Sequence, residues 1–211
     1  EINNFSRGEV ISFAYLSIEK ILGYSKSDCI IHSNHELTYD NIISFENIIN
    51  DIKQNIPIQY ILGEAHFYDL KFKVNSSTLI PRGETEELIQ YILLHDFISV
   101  LEIGTGSGCI AVSIAKNSNA KITAIDNSIG ALEIAKSNAV LNSVEINFQL
   151  RDVFNFSDIK KYDLIVSNPP YVLESEKKLM DKNVLDYEPH NALFVSDNDP
   201  LAYYKEIAKI A

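Results

Sequence analysis

ISVLEIGTGSGCIAVSIAKNSNAKITAID, residues 98–126, decides the fold. ISVLEI (98–103) is an unbroken apolar run of strand length, and GTGSG (104–108) follows it with no spacer. CIAVSIAK (109–116) then reads as a helix and KITAID (121–126) as a second strand. Strand, glycine turn, helix and strand make one crossover unit, and a strand that is apolar without alternation is covered on both faces. Downstream the pattern repeats. Ser128 is placed to cap a helix carrying Ile129, Leu132, Ala135 and Ala139 on one face. EINFQL (145–150) and YDLIVS (162–167) supply a third and a fourth strand. The expected fold class is α/β, a doubly wound parallel sheet. Residues 200–211 read as a helix with no strand after it. Four strands are few for this architecture, so the C-terminal strands are read as missing from a truncated domain. The absence of Met at position 1 suggests the same of the start.

Upstream the texture is helical. In residues 8–22, Val10, Ala14, Ile18 and Ile21 recur at helical spacing, and Gly23 supplies a stop. A short second helix is expected after Ser27. A third starts at Thr38 as N-cap and runs through Ile42, Ile43, Phe45, Ile48, Ile49 and Ile52 towards Pro57. Residues 1–64 therefore read as a small helical domain, suited to be a stabilising cap or a docking module. FYDLKFKV, NSS and TLI (67–80) alternate around a turn and read as a β-hairpin, placed within a linker of residues 65–80. The α/β domain then occupies residues 81–211.

Composition narrows the function. The chain has 211 residues and a formal net charge of −11. Proteins that grip nucleic acid present a basic surface to phosphates, so this balance argues against a direct nucleic-acid substrate and favours a basic protein partner. No apolar run approaches the ~20 residues that span a bilayer, and residues 1–8 lack the pattern of a secretion signal. Cys29 and Cys109 stand far apart with no CxxC spacing, so neither a disulfide framework nor a metal site is expected. The simplest home is cytoplasmic.

The chemistry sits at strand ends. Gly104, Thr105, Gly106, Ser107 and Gly108 form a turn at which a ligand can approach the backbone, with the N–H groups of the following helix behind it. Glu102, just before the loop, would repel a pyrophosphate but suits the cationic amino-acid end of S-adenosylmethionine. Asp126 closes the second strand, where an acid accepts hydrogen bonds from ribose hydroxyls. Asp152 follows the third strand, placed to accept from an adenine amino group while Val153 packs on the ring. Either aspartate alone could be a cap or turn residue; three acids at successive strand ends point to a bound cofactor.

NPPY (168–171) follows the fourth strand. Two prolines cannot continue a central strand, so Pro169 and Pro170 make a rigid turn at the edge where α/β folds bind ligands. An amide nitrogen is a poor nucleophile because its lone pair is delocalised. A site that accepts both of its N–H groups, as Asn168 Oδ1 and the Pro169 carbonyl can, orients that lone pair. Tyr171 offers a wall against a planar acceptor. Catalysis of this kind is positioning and electrostatics, with no His or Lys base.

Together these segments resemble the HemK/PrmC family of peptide-chain-release-factor glutamine methyltransferases over nearly the whole chain. The resemblance is carried by PIQYILGEAHFYDLKFKV (57–74), LIPRGETEELI (79–89), GTGSGCIA (104–111), VSNPPY (166–171) and DYEPHNAL (186–193). It implies a Rossmann-like S-adenosylmethionine-dependent methyltransferase domain behind a small N-terminal helical domain that docks the substrate. It implies methyl transfer to the glutamine of the Gly-Gly-Gln motif in class 1 release factors, by a monomer. Catalytic roles fall to Asn168, Pro169, Pro170 and Tyr171. Cofactor contacts fall to Glu102, Gly104 to Gly108, Asp126, Asp152, Val153 and Asn168. Arg82, Glu84 and Glu86 are expected to close the site by salt bridges and to cap a helix rather than to catalyse. Gly83 departs from the proline usual in the family. Two other readings stand beside this one: an adenine or guanine amino-group methyltransferase acting on DNA or RNA, and a catalytically silent module that keeps the fold.

Overall fold

The computed structural model describes residues 5–156 and 160–211; the first four of the residues read above for a leader pattern lie outside them. The chain divides into two compact units, Glu1–Leu62 and Gly63–Ala211.

The first unit holds four helices among the described residues: α1 (Arg7–Leu22), α2 (Lys26–Ile31), α3 (Tyr39–Lys53) and α4 (Ile58–Leu62). Each of the first three starts where a short polar side chain meets a matching one three residues on. Ser6 Oγ accepts the Glu9 N–H while Glu9 Oε2 accepts the Ser6 N–H at 2.8 Å. Ser25 with Asp28 and Thr38 with Asn41 repeat the arrangement. The Ser25–Asp28 pair is why α2 starts at Lys26, ahead of the expected start after Ser27. Gly23 ends α1 with φ of 70°. The core is Ile52, Ile58 and Leu62, with Phe13, Leu16 and Ile48 packed against it. Two of those residues sit on α4, which is too short to show a helical period in the sequence.

The second unit opens with a hairpin, β1 (Glu64–Phe67) and β2 (Leu70–Lys73). Its turn is Tyr68–Asp69, both at positive φ (49° and 59°), within the stretch read as alternating around a turn. A two-residue turn of this hand follows the twist of its strands, and Glu86 Oε1 secures it by accepting the Tyr68 N–H at 2.9 Å. Phe67 and Phe72 then meet edge to face at 6.1 Å, both fully buried. Asn75 makes a separate turn, its Oδ1 accepting from Ser77 N. Then come α5 (Glu84–Ile92), β3 (Ser99–Ile103), α6 (Cys109–Asn117), β4 (Lys121–Asp126), α7 (Ile129–Leu141), β5 (Asn147–Leu150) and β6 (Leu164–Ser167). After them lie β7 (Val172–Leu173), α8 (Lys182–Tyr187), α9 (His190–Leu193), β8 (Phe194–Val195) and α10 (Ala202–Ile210).

The main sheet is parallel, in the order β5-β4-β3-β6. The chain builds outward from β3 to β5 and then returns to the other side of β3, so the order reverses between β3 and β6. Both faces are covered over the central strands β3 and β4, as their nearly continuous burial requires. Val100, Ala124 and Val166 pack with Phe67, Phe72, Ile89 and the apolar face of α6. Leu101, Ile103 and Ile125 pack with Val153 and, from α10, Tyr203, Ile207 and Ile210. The hairpin is fastened to α7 by Asn138, which is fully buried. Its Oδ1 accepts the Lys73 N–H at 2.6 Å, and its Nδ2 donates to the carbonyls of Lys73 and Ser107. The short strands β7 and β8, absent from the sequence reading, pair in parallel beyond the sheet. Among the described residues, no helix is long and apolar enough to cross a membrane.

Candidate active site

In open α/β sheets the crevice for ligands lies at the carboxyl ends of the strands, where the strand order reverses. Here that point falls between β3 and β6. Ile103 pairs with Ser167 in the ladder, and Ser167 Oγ donates to the Ile103 carbonyl at 2.7 Å. The glycine loop and the NPPY turn therefore leave adjacent strand ends side by side. A cleft forms there, enclosing about 1000 Å³ of atom-free space including its solvent-open mouth. Glu102, Gly104, Thr105, Gly106, Ser107, Asp126, Asp152, Val153, Asn168, Pro169 and Pro170 all line it.

The loop is held by backbone and by acid. Gly104 N and Thr105 N both donate to the Ile125 carbonyl, and Gly106 N donates to Asp126 Oδ2 at 2.8 Å. The other Asp126 oxygen accepts the Ser128 N–H at 2.9 Å. The acid at the end of β4 thus shapes the loop besides facing the cleft. Gly104 and Gly106 sit at φ of 74° and 55°, and a Cβ on either would meet nothing within 4 Å. These glycines keep the cleft wall bare for a close ligand. Gly108 differs. It does not line the cleft, and its Cβ would stand 3.2 Å from Ala135 Cα on α7, so its bareness serves the packing of two helices.

Glu102 is 1% exposed, and Thr105 Oγ1 donates to its Oε2 at 2.5 Å. Burial, with the Asp126 charge adding to it, pushes this carboxyl up to about 8. Burial also raises Asp126, against the opposing hydrogen bonds from Gly106 and Ser128. Two carboxyls whose ionisation burial disfavours, in one cleft, suit a cationic ligand group, which would favour their charged forms. The bare glycines and the buried acid together fit the amino-acid end and ribose of S-adenosylmethionine. Asp152 has a structural duty as well, since its Oδ1 caps a short 3-10 turn at Phe154 N.

A second hollow adjoins the cleft. Leu79, Arg82, Thr85, Ser167, Asn168, Pro169 and Ala192 border both. Tyr171, 62% exposed, lines this hollow and not the cleft. Sequence reasoning missed several walls. Residues 77–81, Arg151, Asn191 and Tyr203 line the cleft; residues 79–81 and Asn191 fall in stretches that carry the family resemblance, but the chemistry of none of these residues announced a place in the site. Of the expected salt bridges, Arg82 does form one, with Glu188; α5 starts at Glu84 with Gly83 as its N-cap and no side-chain cap.

Residues 80–192 match the Methyltransferase small domain, and residues 10–63 match the PrmC N-terminal domain. A release factor glutamine methyltransferase from Flavobacterium psychrophilum is 45% identical over 98% of this chain and 76% of its own. The chain belongs to the release factor glutamine methyltransferase family. Relatives of the same name in Bacteroides thetaiotaomicron (44% identical; 96% of this chain and 74% of theirs) and Streptococcus pneumoniae (41%; 100% and 75%) agree. A methyltransferase of this family needs two sites that share a wall, one for the cofactor and one for the acceptor. The cleft and the hollow meet along Asn168 and Pro169.

Proposed function

We propose that the chain transfers a methyl group from S-adenosylmethionine to the side-chain amide nitrogen of the glutamine in the Gly-Gly-Gln motif of class 1 peptide chain release factors. The observation that carries this reading is the shared wall: Asn168 and Pro169 border the cofactor cleft on one side and the hollow with Tyr171 on the other. S-adenosylmethionine supplies, when bound, an electrophilic methyl group on a sulfonium. Glu102, Gly104, Thr105, Gly106, Ser107, Asp126, Asp152, Val153 and Asn168 hold it, and Gly108 contributes by letting α6 start close against α7. On the acceptor side, Asn168 Oδ1 and the Pro169 carbonyl accept the two amide N–H groups and turn the nitrogen lone pair towards the methyl. Pro170 keeps the turn rigid, and Tyr171 packs on the planar amide. No protein base is needed, because the methylated nitrogen can release its proton to water.

In the same reading residues 1–64 dock the release factor, residues 65–80 carry the hairpin, and residues 81–211 perform the transfer. The enzyme acts as a monomer in the cytoplasm, on protein and not on nucleic acid. Radiolabelled S-adenosylmethionine is the test, with intact release factor, a Gln-to-Ala factor, and Asn168→Ala enzyme. Label should enter only the intact factor, and Asn168→Ala should lower the rate by ~10²–10³, the effect of removing a preorganised polar contact from a reacting centre. Label in DNA or RNA, or transfer that survives loss of the glutamine, would refute the assignment.

A further inference from the structure

We propose that Glu188 is a positioning residue for this transfer, a buried strut that fixes the spacing between the two walls of the acceptor hollow. Its side chain is 1% exposed, and both oxygens are engaged. Oε2 accepts the Ile80 N–H at 3.2 Å, and Oε1 accepts from Arg82 Nη2 at 2.5 Å. These partners lie 108 and 106 residues away in sequence, so one carboxylate joins the stretch before α5 to the end of α8.

The backbone completes the connection. Glu188 leads through Pro189 into α9 and then β8. That strand pairs with β7 in the register Val172↔Phe194 and Leu173↔Val195, and β7 follows Tyr171 directly. A continuous connection results: Ile80 and Arg82, Glu188, α9, β8, β7 and on to the NPPY turn. Residues from both of its ends line the hollow, with Leu79 and Arg82 from the first and Asn168, Pro169 and Tyr171 from the second. A shift of the Ile80–Arg82 stretch is therefore passed to the residues that hold the acceptor amide.

Energetics favour a geometric role over a stabilising one. The Arg82 side chain is 37% exposed, and an ion pair open to solvent on one side adds little stability. The carboxylate does define a distance and a direction, because its two oxygens are held at once by Arg82 Nη2 and the Ile80 N–H. Misplacing reacting groups by ~1 Å can slow a reaction about 10²-fold, so a strut at this place controls rate without touching substrate.

The proposal rests on the methyl-transfer reading, and its test separates the two. Glu188→Gln keeps the volume but offers one acceptor oxygen to two donors. Three quantities are measured on the full chain: backbone hydrogen exchange, the Kd for S-adenosylhomocysteine, and kcat with intact release factor. In Glu188→Gln, exchange should rise both in residues 79–82 and in residues 171–173, while residues 104–108 stay as in the parent. The Kd should stay within about twofold, and kcat should fall by about ten- to a hundredfold. Glu188→Ala, which removes both bonds, should lose more kcat than Glu188→Gln. The proposal is overturned by a parental kcat in Glu188→Gln, by a loss matched by an equal loss of cofactor affinity, or by exchange that rises in residues 79–82 alone. If the parent enzyme labels no release factor, the functional reading fails, and the exchange pattern by itself decides for or against the strut.

Discussion

Alanine at Gly104 and at Gly108 should have opposite consequences, although both glycines belong to one five-residue loop at positive φ. At Gly108, with φ of 79°, the new Cβ would stand 3.1 Å from Ala135 Cβ and 3.2 Å from Ala135 Cα. The left-handed backbone itself costs a residue with a Cβ about 1–2 kcal/mol. The contact is against helix backbone that cannot swing away, and crowding of that kind adds about 1–3 kcal/mol. The sum, ~2–5 kcal/mol, is a large part of a typical stability of ~5–15 kcal/mol. At about 2–4 °C per kcal/mol for a chain of this size, Gly108→Ala should lower Tm by roughly 4–20 °C. Gly104, with φ of 74°, carries the same backbone strain but no neighbour within 4 Å. Its methyl would project into the cleft, so Gly104→Ala should lose no more than ~2 kcal/mol of stability. Its affinity for S-adenosylhomocysteine should fall at least tenfold, or ~1.4 kcal/mol. Calorimetric scans and titrations of both variants give the two axes. A Gly108→Ala enzyme with the parental Tm, or one that loses more cofactor affinity than Gly104→Ala, would show that the division between packing and binding glycines is wrong.

Asn138→Ala leaves the part-buried Lys73 N–H and the buried Ser107 carbonyl without their partner. At about 1–3 kcal/mol per orphaned group, urea unfolding should report a loss of roughly 3 kcal/mol; a loss under about 1 kcal/mol would mean the hairpin is held elsewhere. Glu102 gives a pH signature in the unliganded protein. Its folded value of about 8 lies above the ordinary 4.5, so the folded state keeps a proton that the unfolded chain has released. Stability is then fully present below pH ~4.5 and declines as pH rises towards 8, by at most ~5 kcal/mol at ~1.4 kcal/mol per pH unit. Glu102→Gln should flatten that decline between pH 5 and 8, and parallel stability curves for variant and parent would remove the argument.

The parallel sheet was legible because the central strands β3 and β4 are buried almost without a break, and β4 coincides with the residues read as its strand. Thr38 and Gly23 were legible for a related reason: caps act within three or four residues, a range the sequence displays directly. The hairpin was legible from its alternation but the place of its turn was not, because positive φ at Tyr68 is a backbone state that its residue type does not announce. The true turn is fixed from outside by Glu86, 18 residues away. Glu188 was visible only as part of a resembling stretch, since its partners are joined to it by the fold alone. Tyr203 reaches the cleft from α10 through packing on Val153, and nothing in its own neighbourhood distinguishes it from an ordinary amphipathic helix.

Asp126 shows why a motif residue is seldom a single-purpose contact. As a strand-end acid it was read as a ribose ligand, and its place in the cleft suits that role. Yet its two oxygens already accept from Gly106 N and Ser128 N, so the same carboxylate holds the glycine loop and the entry to α7. A carboxylate has about four lone-pair sites, and two remain for a diol. Asp126→Asn must give up one of these duties, because an amide has one acceptor oxygen for both loop donors. A fall in cofactor affinity in that variant would therefore measure loop disorder and lost ribose contact together. The two separate only when Asn is compared with Ser at the same position: a loss equal in both would come from the loop, and a graded loss from the ligand.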